Sequence, residues 1–224
     1  RTYAINQVFN FLLKQKLLSS KHREFFPVFK SFKSKPLLKV QRLIGPFFGF
    51  QFFGVHLNGF IKKNNKYFMW IGRRTKKGNF PNDLDQIAAG GLPFNVTVKK
   101  NLIKESYEEA NINKTLILKS KYDGTISYRV ETKLGLSRHI LFCYNLELPI
   151  NFVPKNNDGE IINFHLWPIE KILKIIKQSR KFKFDCGLVI LLFALNKKII
   201  QINKIKWMLN NKSDLKILKK IKKN

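Results

Sequence analysis

The chain has 224 residues, 44% of them apolar and 21 of them Phe, which is ample for a buried core in one large domain or two small ones. No apolar run reaches the roughly 18 charge-free residues that a membrane-spanning helix needs, and the longest, 186–196, has the length of a core element. With 43 Lys and Arg against 14 Asp and Glu the net charge is +29, which favours polyanionic partners.

The distribution of that charge weakens the case for nucleic acid. Basic residues are scattered along the whole chain and cluster only at 212–223, Lys62-Lys63 and Lys76-Lys77. No zinc, helix-turn-helix or RNP-like motif accompanies them, so a small-molecule partner is favoured. Cys143 and Cys186 each sit in an apolar run and are expected to be buried free thiols. With no disulfide framework and no signal-peptide pattern, the expected compartment is cytoplasmic; the start at Arg1 rather than Met suggests a truncated or processed N-terminus.

Residues 1–50 read as a small leading unit. Ile5, Val8, Phe9, Leu12 and Leu13 recur at helical spacing, 25–32 is strand-like around Pro27, and 37–40 with a Gly45-Pro46 turn leads onward. His22-Arg23-Glu24 reads as a solvated polar turn. From Phe52 the pattern turns to strands at 54–61 and 67–72, joined by a turn at 62–66. His56 lies on the first of these, and it, His139 and His165 are expected to be hydrogen-bonded core residues rather than ligands.

Ala88-Ala89-Gly90-Gly91-Leu92-Pro93 reads as a loop whose glycines let backbone approach a ligand closely. Asn95 and Thr97 are candidate caps for a helix over 98–110, and Asn111 suits its end because Asn tolerates the left-handed conformation. Strands follow at 115–118, 125–132 and 139–146, then a turn at 154–159 and a strand at 160–167. A helix over 168–177 places Ile169, Ile172 and Ile176 on one face, and an apolar helix covers 186–195. Mixed strands with helices packed outside predict an α/β sandwich. The expected division is a small α/β unit at 1–50, the main domain at 51–203 and a basic tail at 204–224.

Three acids crowd into five residues of the 98–110 helix: Glu105, Glu108 and Glu109. Helical spacing puts them on one face, where they repel by roughly 0.2–0.5 kcal/mol per pair. A divalent cation would relieve this, and Mg²⁺ or Mn²⁺ prefers such oxygen donors, with a backbone carbonyl near Gly90 as a further ligand. Arg73, Arg74 and Lys76 are candidates to grip an anionic substrate. Because strand neighbours face opposite ways, only one of the two arginines can face the site, and Arg73 is preferred. No Cys/His metal spacing and no Ser/His/Asp set is present, which leaves covalent catalysis without support.

The segment from Gly90 to Ile112 resembles the Nudix box, Gly-x5-Glu-x7-Arg-Glu-U-x-Glu-Glu-x-Gly-U, with U a bulky apolar residue. Gly90, Glu105, Glu108 and Glu109 match it; Val96, Lys104, Ser106 and Asn111 depart from it. A longer resemblance, over about residues 1–203, is to the Nudix branch related to thiamine pyrophosphokinase. It is carried by Gly54-Val55-His56-Leu57-Asn58-Gly59-Phe60, Trp70-Ile71-Gly72-Arg73-Arg74, Asp85-Gln86-Ile87-Ala88-Ala89-Gly90-Gly91-Leu92-Pro93, Asn101-Leu102-Ile103-Lys104-Glu105 and Phe152-Val153-Pro154-Lys155-Asn156-Asn157-Asp158-Gly159-Glu160. Members of that branch share the Lys before the first core Glu and the missing acid at the position of Val96.

The resemblance implies a Nudix-type α/β/α sandwich with a mixed sheet, and Mg²⁺-dependent hydrolysis of a diphosphate bond, with thiamine diphosphate or its damaged analogues as substrates. It implies that Glu108 and Glu109 bind metal, that Glu105 binds metal or accepts the proton of water, and that Lys104 orients it. Glu160, after the Asp158-Gly159 turn, is a second candidate base or ligand. Phe53, Tyr128 and Phe164 are candidates for an aromatic wall. A rival expectation is a catalytically silent Nudix-fold binding module, perhaps for RNA.

Overall fold

The computed structural model describes residues 1–18, 24–32, 34–77 and 80–203. The expected tail at 204–224, and His22 and Arg23 of the expected polar turn, lie outside these.

A seven-stranded mixed sheet organises the chain, with order β5-β4-β3-β8-β7, β6 paired to β3 and β9 paired to β4. Its centre is β3 (Gln51–Lys63), antiparallel to β4 (Lys66–Arg74) and β6 (Ala88–Gly91) and parallel to β8 (Gly135–Glu147). Asn64 and Asn65 both take left-handed φ, 49° and 58°, and so close the β3–β4 hairpin. The remaining strands are β5 (Leu84–Asp85), β7 (Lys121–Thr132) and β9 (Ile161–Pro168).

Alternation along β3 sorts the two layers. Val55 and Leu57 join Leu102, Ala110 and Ile112 of the α3 side (α3, Val98–Ala110) in one buried cluster. Phe60 packs instead with Ile172 of α5 (Ile169–Gln178) and Phe193 of α6 (Phe184–Asn196) in another. Residues 186–194 of α6 are all buried, as expected of a helix that is apolar all round. The result is the predicted α/β/α sandwich, with Cys143 and Cys186 as buried free thiols.

The leading unit consists of α1 (Thr2–Lys14), β1 (Phe25–Val28) and β2 (Leu38–Gln41), the two strands forming a separate antiparallel pair. Its core of Phe9, Phe26, Val40 and Ile44 closes onto Phe52 of β3, so its apolar face is completed by the main sheet.

Three local expectations change. The Gly45-Pro46 turn is a short helix, α2 (Gly45–Phe48), with Pro46 in its first turn, where its missing N–H costs nothing. Residues 115–118 are not a strand: α4 (Lys114–Ile117) forms because the Asn113 side chain accepts the Leu116 N–H at 2.8 Å. The glycine segment expected as a loop is the strand β6, imposed by its four-residue register with Gly54 to Leu57 of β3.

Candidate active site

Local chemistry sets both ends of α3. Thr97 Oγ1 accepts the Lys100 N–H at 3.2 Å, and Asn111 takes left-handed φ of 53° as the N–H groups of Asn111 and Ile112 bond back to Tyr107 and Ser106. Asn157 seals the same end, its Nδ2 donating to the Tyr107 carbonyl at 2.7 Å and to Asn111 Oδ1 at 3.2 Å. At the other end Asn101 Nδ2 donates to the Gly91 carbonyl at 2.9 Å, which fixes the helix to β6.

That docking lays two of the three acids across the glycine strand. Glu109 is buried, and its Oε2 accepts the Ala89 N–H at 2.9 Å. Glu105 lies over Gly90 so closely that a methyl group there would stand 2.5 Å from each carboxyl oxygen. Burial pushes the Glu105 carboxyl up to about 7, with Lys104 opposing and Glu108 and Glu24 reinforcing. Burial, then Asp85 and Glu105, push Glu109 well above the usual carboxylate range against the Ala89 N–H and Lys183. Glu108 is more exposed and lies 3.6 Å from Lys104 Nζ.

Among the described residues no group of three or more His, Cys, Asp or Glu stands ready to hold a metal ion. The donor chemistry of Glu105 and Glu109 nevertheless fits one. Both are hard oxygen donors held at neighbouring residues of one strand, and the first raises the pKa of the second, a repulsion that a divalent cation would relieve. Glu108, half-exposed and paired to Lys104, sits at the margin of that set.

A cavity of about 400 Å³ opens beside Gly90 and Gly91, and its wall includes Lys183 and Asp185. Phe53 and Tyr128 of the expected aromatic wall line it. Phe164 does not: it lies on β9 and packs into the cluster beneath α3. Lys183 Nζ lies 3.5 Å from Asp185 and 4.0 Å from Asp85, and its charge reaches Glu109. Against burial, Lys183, the Cys186 thiol and Arg74 hold Asp85 below the usual carboxylate range, the thiol donating to it at 2.7 Å.

The basic residues chosen from sequence are placed differently from expectation. Arg74, not Arg73, turns towards the buried acids, with Nη1 2.8 Å from Asp85 and Nη2 2.8 Å from Glu160. The ladder to β9 shifts register between Arg73 and Arg74, so simple alternation does not decide which one faces inward. Lys76 is exposed on the turn after β4. Glu160 is exposed and ion-paired to Arg74, because β9 runs beside β4. The fold also brings in Lys183, which sequence reasoning missed: it lies against Asp85 and Asp185, and its charge reaches Glu109. Its only signal was Lys183-Phe184-Asp185 at the start of an apolar helix.

No protein-family model matches the chain. It is 36% identical over 202 residues to Nudix hydrolase 24, chloroplastic, of Arabidopsis thaliana, which covers 90% of this chain and 55% of that protein. To Nudix hydrolase 20, chloroplastic, of the same plant it is 37% identical over 194 residues, 86% of this chain and 52% of that protein. Over most of its length the chain is similar to members of the Nudix hydrolase family. It spans about half the length of the curated relatives it matches. The Nudix fold is seen again in the NUDIX domain of Shewanella oneidensis NrtR, solved with ADP ribose, at a TM-score of 0.51 and 12% identity over 67% of this chain and 89% of that one. A protein from Deinococcus radiodurans gives 0.53 at 18% identity, over 75% of this chain and 98% of that one.

The departures from the Nudix box have local explanations. Asn111 replaces the second glycine at a left-handed position that Asn tolerates. Ser106 replaces the apolar residue and is fully buried, with no hydrogen-bond partner for its hydroxyl among the described residues. Of the three expected core histidines, His56 is buried, with Nδ1 2.6 Å from Gln86 Oε1. His165 is only half-buried and stacks on Trp167. His139 lines the cavity, stacks on Tyr128 with ring centroids 5.2 Å apart, and meets Ser137 Oγ at 2.8 Å.

Burial and then Arg42 push His139 down to about 4. Between that value and the ordinary 6.5 the unfolded chain holds a proton that the folded chain does not. The contribution of His139 to stability is therefore complete above pH 6.5 and falls, by up to about 3 kcal/mol, as pH drops towards 4. Urea unfolding of His139→Gln beside the parent from pH 7.5 to 4.5 should show a shallower acid loss in the variant. Parallel curves would contradict the assignment.

Proposed function

We propose that this chain hydrolyses a diphosphate bond of an organic diphosphate and releases a monophosphate. The observation that carries this reading is the pair of half-buried Glu105 and buried Glu109, laid across Ala89 and Gly90, which line a cavity together with Lys183. A bound Mg²⁺ or Mn²⁺ would neutralise phosphate oxygens and activate water. Glu105 and Glu109 would hold it, with Glu108 at the edge of the set.

The chain's own groups supply the rest. Lys183, half-buried between Asp85 and Asp185, meets the negative charge of the substrate as a fixed point charge. Gly90 leaves the space that the Glu105 carboxylate fills, and Gly91 the space that the Phe26 ring fills. Glu105, held over Gly90, either joins Glu109 in holding the cation or accepts the proton of the attacking water. Phe53 and Tyr128 line the cavity and supply apolar surface for an aromatic group on the substrate. Thiamine diphosphate or its oxidised analogues are the proposed substrates, supported by the sequence resemblance to the thiamine pyrophosphokinase-related branch and by the aromatic wall. ADP ribose, the ligand of the NrtR domain, is the natural competitor to include.

Purified protein with Mg²⁺ should be tested side by side on thiamine diphosphate, its oxidised analogues, ADP-ribose and nucleoside triphosphates. Release of monophosphate from the thiamine group is the expected result. A clear preference for a nucleotide would overturn the substrate assignment and keep the reaction. No turnover at all, together with salt-sensitive RNA binding, would replace the enzyme by a binding module.

A further inference from the structure

The leading unit is built into the edge of the box. The Phe94 N–H, in the loop before α3, donates to the Phe25 carbonyl of β1 at 2.7 Å. The next ring, Phe26, lies against Gly91, where a methyl group would come within 2.6 Å of its Cε1, and it lines the cavity. Glu24 therefore stands at the foot of a strand that is anchored on the glycine segment.

Its carboxylate reaches α3. Lys104 Nζ lies 3.0 Å from Glu24 Oε1, 3.6 Å from Glu105 Oε1 and 3.6 Å from Glu108 Oε2. One ammonium faces three carboxylates, and its shortest contact is to the one that comes from outside the helix. Position 96, where the box pattern has an acid, is Val96 and offers Lys104 no carboxylate. Were Glu24 absent, the ammonium would be left to Glu105 and Glu108, whose oxygens a divalent cation needs.

We propose that Glu24 is a positioning residue: it draws the Lys104 ammonium towards the leading unit and so keeps Glu105 and Glu108 open to the cation. The inference rests on the hydrolase reading above. It ties β1 of the leading unit to the site through Glu24.

Mn²⁺ binding, followed by electron paramagnetic resonance, tests it on the full chain. In Glu24→Gln the freed ammonium competes with the cation, so the Mn²⁺ dissociation constant should rise about fivefold, the scale of one partly exposed ion pair. The Mg²⁺ concentration for half-maximal activity should rise with it, while kcat at saturating metal stays near that of the parent. In a Lys104→Met background the same Glu24→Gln change should leave Mn²⁺ affinity unmoved. An equal loss in that background would show that Glu24 acts by its own charge, and an unchanged affinity in the single variant would show that it does nothing; either result overturns the proposal. If the parent itself binds no Mn²⁺ and turns over no diphosphate, the hydrolase reading fails and this inference falls with it. Melting temperature without metal, expected to match the parent, separates these results from misfolding.

Discussion

A Glu109→Gln protein is expected to fold, to lose the rise in melting temperature that Mg²⁺ gives the parent, and to turn over at least about 100-fold more slowly. The fold should survive because the amide keeps the shape of the side chain, and its oxygen can still accept the Ala89 N–H that Glu109 Oε2 accepts at 2.9 Å. Metal-free stability should not fall. Burial, Asp85 and Glu105 all oppose a negative charge at this position, so the folded chain retains a proton that the unfolded chain has released. Stability of the parent therefore declines as pH rises above the usual carboxylate range, and a neutral amide removes that decline. The gain of Glu109→Gln over the parent should thus grow from pH 5 to pH 8. Activity moves the other way, because the charge that destabilises the metal-free fold is the one that holds the cation. Near-normal turnover with a full Mg²⁺-induced shift would show that Glu109 is not a ligand, and the site would have to be rebuilt around Asp85 and Asp185.

The box helix was legible in sequence because everything that defines it is local. Thr97 and Asn111 bound it within a few residues of the acids, and the structure gives α3 the predicted limits, 98–110. Strand β6 was hidden for the opposite reason. Ala88-Ala89-Gly90-Gly91 has little intrinsic preference for a strand, and its extended form is dictated by β3, over thirty residues earlier. Lys183 and Asp185 were hidden too. They follow α5 at the far end of the chain and come beside Asp85 and His56 only when α6 packs under the sheet. In a chain with 43 Lys and Arg, nothing in composition singles out one lysine; a place between two carboxylates does. The Arg73 and Arg74 pair shows a finer limit, since alternation assumes an unbroken ladder and the register shifts between those two residues. What remained illegible is the part of the site made by contacts between distant segments, which is also the part that would read the substrate.

Gly90→Ala is expected to lower turnover by about 100-fold, as a displacement of roughly 1 Å at a reacting group can, while leaving a folded protein. The backbone at Gly90 is not left-handed, so alanine can adopt it, and the conflict is one of space alone. The added methyl would stand 2.5 Å from both oxygens of Glu105, which is the far end of a flexible side chain. The carboxylate moves aside and the strand stays. Overpacking should then cost no more than about 1–3 kcal/mol, the usual range for an extra methyl in a tight site. Gly91→Ala is the control. Its methyl would meet the Phe26 ring at 2.6 Å, and that ring is rigid and packed 5.4 Å from Phe52, so the strain should fall on docking of the leading unit. Melting temperature and kcat measured on both variants should therefore separate: Gly90→Ala loses rate more than stability, and Gly91→Ala loses stability at least as much as rate. A Gly90→Ala protein with parental kcat and parental Mn²⁺ affinity would show that Glu105 does not work from its place over the glycine strand.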